Sequence, residues 1–284
     1  MNLTPISDDS QPSVNVNHMS KDISELRIAH HEALALQIPR PYVLDLYRDS
    51  VVEQALSAIS CKIDHYQQSS EDGSPFIHRN YVELHQSALE GFLLTVQSMW
   101  ERSVRNILVA CATKLNYPAK TLNDIRRSPW SEQDKNNLEG FFQELIGLPI
   151  QAFDSGQDLL LLHVLGSALR HGDGPACKRL FALQPGLWQN WLAPGTHVPI
   201  LNYTVPLDAP AYPSIDLITI PEKLLQQMMM SVNWFWEDME YIRCRSFART
   251  HDSTSRYLQE LEGQRLLRPQ QRVWTSALAP VVSR

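Results

Sequence analysis

With 284 residues, 43% of them hydrophobic and 20% charged, the chain has enough apolar side chain for a sizeable core and is neither disordered nor fibrous. Its eleven glycines fall well below the roughly 7% of an average protein, which argues against Gly-rich phosphate-cradling loops and sandwiches with many tight turns. A net charge of −6 supplies no global field that would draw the protein onto nucleic acid.

The four cysteines, Cys61, Cys111, Cys177 and Cys244, stand 50 or more residues apart, so no CxxC pair seeds a zinc or thioredoxin-type site. Reduced thiols in the cytoplasm are expected. The opening segment lacks the apolar core of a secretory signal, and the apolar run Leu159 to Leu162 is far too short for a bilayer span. No membrane, metal or cofactor is expected.

Residues 1–20 are polar and predict a mobile tail. An N-terminal helical pair is predicted over 21–75, with helices at 21–37 and 41–65 separated by Pro39 and Pro41 and closed by a polar loop over 66–75. The strongest helical period runs from Ile77 to Leu115, with Leu89, Phe92, Leu93, Val96, Trp100, Val104, Ile107 and Leu108 on its buried stripe. Pro118 and Pro129 bracket a connector. Ser131 and Asp134 resemble a capping box that would start a helix ending near Leu148. A helix follows from Asp154 to His171, stopped by Gly172 and Gly174, which suit positions of positive φ.

Pro175 fits the first turn of a short helix, PACKRLFAL. Residues 184–216, rich in proline, predict an irregular excursion. IDLITI (215–220) predicts one short strand, and Pro221 to Arg245 a last helix whose Met228–Met230 and Trp234–Trp236 clusters belong to the core. From Tyr241 to Arg284 eight arginines face three acidic residues. That basic extension, 246–284, predicts a solvated amphipathic helix rather than a phosphate-contacting arm. Together these elements predict an all-α protein, mainly a helical bundle over 76–245, with at most one small β element near 215–220.

The stretch LLLLHVLGSALRHGDGPACKRL (159–180) carries the chemistry. On a helix, His163, Ser167 and Arg170 lie at i, i+4 and i+7 on one narrow face, with His171 within about 80° of it. Gly172, Asp173 and Gly174 follow, where backbone can approach a ligand. A solvent-facing stripe with a glycine cap is the alternative reading.

ALRHGDGPACKRL followed by QPGLW resembles the HEPN superfamily, specifically bacterial members with a basic–His–Gly–acidic–Gly signature. The helix LLTVQSMWERSVRNIL (93–108), with Trp100–Glu101, and the passage IDLITIPEKL…NWFWEDM (215–239) are similar to the same family. The resemblance covers roughly 80–245. It implies an all-α domain, dimerisation, and either of two functions. One is RNA binding or metal-independent RNA cleavage by an effector of toxin or phage-defence type. The other is an inert module that binds a protein or nucleotide partner.

In active HEPN ribonucleases an Arg precedes the His with four to six residues between them. The His serves as general acid or base and the Arg neutralises charge on the phosphorane. The resemblance places His171 at the His position, with Arg170 beside it, and Ser167 at the polar position. Asp173, Gly172 and Gly174 become ligand contacts in the turn. The family's Arg position falls on Gly166 or Leu165, which leaves open whether the protein is an enzyme. Arg170 is about 100° from His171 around the helix and does not substitute. Arg105, one turn after Glu101, is a candidate cation from a packed neighbour or partner subunit, against a plain Glu101–Arg105 surface pair. The literal matches Arg79 to His85 and Arg245 to His251 equal the roughly two expected by chance.

Overall fold

The computed structural model describes residues 22–34, 42–130, 137–248 and 251–275. Within them the chain is predominantly α-helical with one small β element. The N-terminal tail and the Ser131–Asp134 capping box lie outside the described residues.

Two early expectations are corrected. Residues 22–34 form a 3-10 turn, Ile23–Glu25, and further turns instead of a regular helix. After this, α1 (Tyr42–Tyr47) passes through a π-helical stretch, Arg48–Val52, into α2 (Glu53–Gln68). The connector after Pro118 holds a helix, α4 (Ala119–Arg127), which runs into Pro129.

The long helix α3 (Ser74–Lys114) spans 41 residues, about 60 Å at 1.5 Å per residue. Leu89, Leu93, Val96, Trp100, Val104, Ile107, Leu108 and Cys111 recur at three- and four-residue steps and are all buried, giving the helix one continuous core face. It ends where Asn116 turns left-handed (φ 58°) ahead of Pro118. Asn137 caps α5 (Leu138–Ile146) by accepting from Gly140 N–H at 2.6 Å. Helices α6 (Gly156–His171), α7 (Pro175–Leu183) and α8 (Glu222–Arg245) fall close to their predicted bounds.

The core lies among α3, α5, α6 and α8. Trp100, Phe142, Phe153 and Phe235 meet there with ring centroids 4.9–6.2 Å apart. Met228, Met229, Trp234, Phe235 and Trp236 are buried as expected. Residues from Ile23 to Leu261 belong to one hydrophobic cluster.

The small sheet is displaced from its predicted place. It pairs β1 (His197–Val198) with β2 (Tyr203–Thr204), antiparallel, in the proline-rich excursion. Ile215–Leu217 is instead a 3-10 turn capped by Ser214. Its alternating apolar residues are consumed by packing Ile215, Ile218 and Ile220 into the core.

The C-terminal extension forms α9 (Asp252–Gln271), whose arginines are far from free. Arg265, Arg268 and Arg272 fall at i, i+3 and i+7. They pair with Asp154 (2.6 Å), Asp238 (2.7 Å) and Asp158 (2.9 Å) respectively. Arg268 and Asp238 are buried. The row of cations fastens α9 to α6 and α8, so the basic excess of this region is spent inside the fold.

Candidate functional site

Two polar stripes meet where α6 crosses the second half of α3. On α3, Gln97, Glu101 and Arg105 recur every four residues and so share a face. On α6 the stripe is His163, Ser167 and Arg170. Glu101 Oε1 lies 3.1 Å from His163 Nδ1 and accepts a second hydrogen bond from Gln97 Nε2 at 2.7 Å. The two side chains are 14% and 16% exposed.

This arrangement fixes the imidazole. The carboxylate can only accept, so whenever the ring is neutral its proton sits on Nδ1 and Nε2 carries the open lone pair. Among the described residues nothing hydrogen-bonds Nε2. Burial pushes the Glu101 carboxyl up, but hydrogen bonds from His163 and Gln97, with the charges of His163 and Arg170, outweigh it. The carboxyl is held below its ordinary range. Trp130 stands beside the imidazole at 6.1 Å between ring centroids, itself seated on Trp100 at 4.6 Å.

Arginines are carried by α3, α4 and α6. Arg105 Nη2 donates to the Ser128 carbonyl at 2.9 Å, which ties α3 to the end of α4 and not to Glu101. Arg126 and Arg127, in the last turn of α4, are exposed. Arg170 is exposed and its Nε donates to Gly166 O at 3.1 Å. Its charge nonetheless acts on Glu101. Ser167 is half-buried.

The turn after α6 is built differently from its prediction. His171 is the exposed last residue of α6 and has no hydrogen-bond partner among the described residues. No acidic group orients it; the carboxylate of α3 orients His163. Gly172 has φ 68° and ψ −149°, a conformation that side chains resist. Gly174 is extended (φ −176°), which any residue adopts. Asp173 Oδ1 accepts from the Ile215 N–H at 2.7 Å, so this carboxylate anchors the 215–220 turn.

Gly166 explains the absent arginine. A Cβ built there would stand 1.7 Å from Gln97 Oε1, and Leu165 is fully buried. A side chain at 166 would have to displace the tip of Gln97, and one at 165 would start from the core. The two chance pairs are structural as well. His85 bonds Glu222 at 2.7 Å while Arg79 pairs with Glu83. His251 caps α9, and Arg245 donates to the Ser24 carbonyl.

Sequence reasoning found Glu101 and the α6 stripe but left His163 out of its site in favour of His171, and it missed Gln97 and Trp130. The signal for His163 was its spacing of four and seven from Ser167 and Arg170. Among the described residues no group of three or more His, Cys, Asp or Glu could hold a metal ion. Comparison with protein-family models, curated proteins and solved structures returns no match.

Proposed function

We propose that this chain is a HEPN-like RNA-binding effector that cleaves RNA without a metal, with His163 rather than His171 as its general base. The observation that carries the reading is the Glu101–His163 pair. A half-buried imidazole has its Nδ1–H held by a carboxylate and its Nε2 open, beside a cation on the same helix face.

In this reading Nε2 takes the proton from a ribose 2′-hydroxyl. The 2′-oxygen attacks the adjacent phosphorus in line, the P–O5′ bond breaks, and the imidazolium returns its proton to the leaving 5′-oxygen. Arg170 stabilises the extra charge on the phosphorane, and exposed Arg126 and Arg127 provide backbone contacts near the end of α4. The products are a 2′,3′-cyclic phosphate and a 5′-hydroxyl. A toxin or defence role, a homodimer and a cognate protein partner follow from the HEPN resemblance and belong to the same proposal.

A second reading is an inert HEPN-fold module that binds a protein or nucleotide. It is favoured by Gly166, where the family's arginine would have to displace the Gln97 carboxamide. Single-stranded RNA oligonucleotides incubated with the protein in EDTA separate the two. Cyclic-phosphate ends that vanish when the scissile ribose is 2′-deoxy support cleavage. RNA that stays intact while still binding selects the inert module.

A further inference from the structure

Helix α9 is attached mainly by charge. Of its 20 residues only Leu261 and Arg268 are buried, with Leu258 half-buried, while Leu266 is 75% and Leu267 49% exposed. Its grip consists of Arg265 on Asp154 and Asp238, Arg268 on Asp238 and Glu237, and Arg272 on Asp158. The guanidinium groups of Arg268 and Arg272 also lie over the Trp234 ring, and that of Arg265 over Tyr241, at 5.6–5.8 Å.

This latch is only partly satisfied. Among the described residues, Asp238 Oδ2, Tyr241 Oη and Arg268 Nε are buried without a hydrogen-bond partner. A buried polar group left open costs free energy. A buried ion pair repays its desolvation only when its remaining donors and acceptors are met. The latch therefore holds α9 less firmly than its number of charges suggests.

The α9 sequence does not hold a helix by itself either. Gly263 and Pro269 stand on the two sides of Arg265 and Arg268, and they are the two poorest helix formers. Pro269 also lacks the N–H that would close on the Arg265 carbonyl. A helix with such breaks is marginal in water without tertiary packing, so the order of α9 depends on its docking. The reverse does not hold. Of the α9 side chains only Leu261 enters the buried core cluster, so the core among α3, α5, α6 and α8 stays closed without α9.

We propose that α9 is a salt-sensitive strap, which docks and becomes helical as one unit and lets go of α6 and α8 while the rest of the fold stays closed. The outer pairs respond to salt because they are partly solvated: Asp154 is 52% exposed, and Arg272 26%. Ions screen such pairs more than the buried Arg268–Asp238 contact. Release uncovers the carboxylates of Asp158 and Asp238 and the rings of Trp234 and Tyr241. The strap is independent of the RNA reading.

Amide hydrogen exchange of the full chain tests it, at low and high sodium chloride, beside a Gly263→Ala variant. A Cβ at 263 meets open space, so this variant folds and only strengthens the helix. The strap predicts that α9 amides are protected at low salt, yet exchange roughly 100-fold or more faster than the most protected amides of α3. High salt should speed α9 by about tenfold and leave α3 unchanged. Gly263→Ala should slow exchange in α9 alone, by up to about fivefold. Four results overturn the strap: an α9 without protection at low salt, exchange of α9 in step with α3, exchange of α9 that salt does not change, or a slowing by Gly263→Ala that spreads to α3.

Discussion

Gly166 on α6 lies so close to Gln97 on α3 that a Cβ at 166 would stand 1.7 Å from Oε1 of the carboxamide. The same carboxamide donates to Glu101, so a side chain at 166 that pushes the carboxamide aside would also disturb the hydrogen bond that orients the site. Gly166→Ala gains helix propensity but overpacks this contact. The expected net loss is about 1–3 kcal/mol. In a Gln97→Ala background the loss should shrink or reverse, and thermal melts of the two single variants and the double variant measure the coupling.

The turn after α6 contains two residues with opposite expectations. Asp173→Ala removes the acceptor of the Ile215 N–H and should cost about 1–2 kcal/mol. His171→Ala removes an exposed, unpartnered ring and should stay within about 0.5 kcal/mol of the parent. Denaturant melts of both variants check this, and an equal loss in the two would contradict the assignment.

Titration of Glu101 gives a pH signature. Its carboxyl is held below the ordinary range in the folded state. The stabilisation is therefore present above the ordinary carboxylate range and is lost as pH falls through the folded value. Glu101→Gln should be less stable than the parent at neutral pH, with the difference narrowing in acid. A difference that stays constant from neutral to acid pH would sink this.

Asp238 titrates in the opposite sense. Burial pushes it up to about 6, against the pull of Arg268 and Arg265. A carboxyl raised in the folded state contributes stability that is complete below its unfolded value and is lost as pH rises through about 6. The margin of the parent over Asp238→Asn should therefore narrow between pH 4 and 6. Arg268→Ala leaves Asp238 with Arg265 alone at 3.1 Å; it should cost less than the roughly 3–5 kcal/mol of a fully unpaired buried charge and release α9 to proteolysis.

Much of the fold was legible because its helices announce themselves locally. The α3 stripe, the Pro175 start of α7 and the Gly172 stop of α6 each rest on spacing or backbone chemistry within a few residues. What escaped depends on distant partners. The alternation of 215–220 matches a strand, yet those isoleucines pack into a helical core. The arginines of α9 look like a solvated face because Asp154, Asp158 and Asp238 are remote in sequence. His163 was visible on the α6 stripe, but its significance comes from Glu101, 62 residues away. The His–Gly–Asp–Gly turn drew the reading toward His171 because the turn is local, whereas the α3–α6 crossing is not.

The central claim is that His163, oriented by Glu101, is the base. It is tested most directly by the rate at which His163→Ala and His171→Ala proteins cleave a single-stranded RNA oligonucleotide in EDTA. The account predicts a loss of about 10²–10⁴-fold for His163→Ala and a rate within a few-fold of the parent for His171→Ala. Undiminished cleavage by His163→Ala, or a loss confined to His171→Ala, would contradict it.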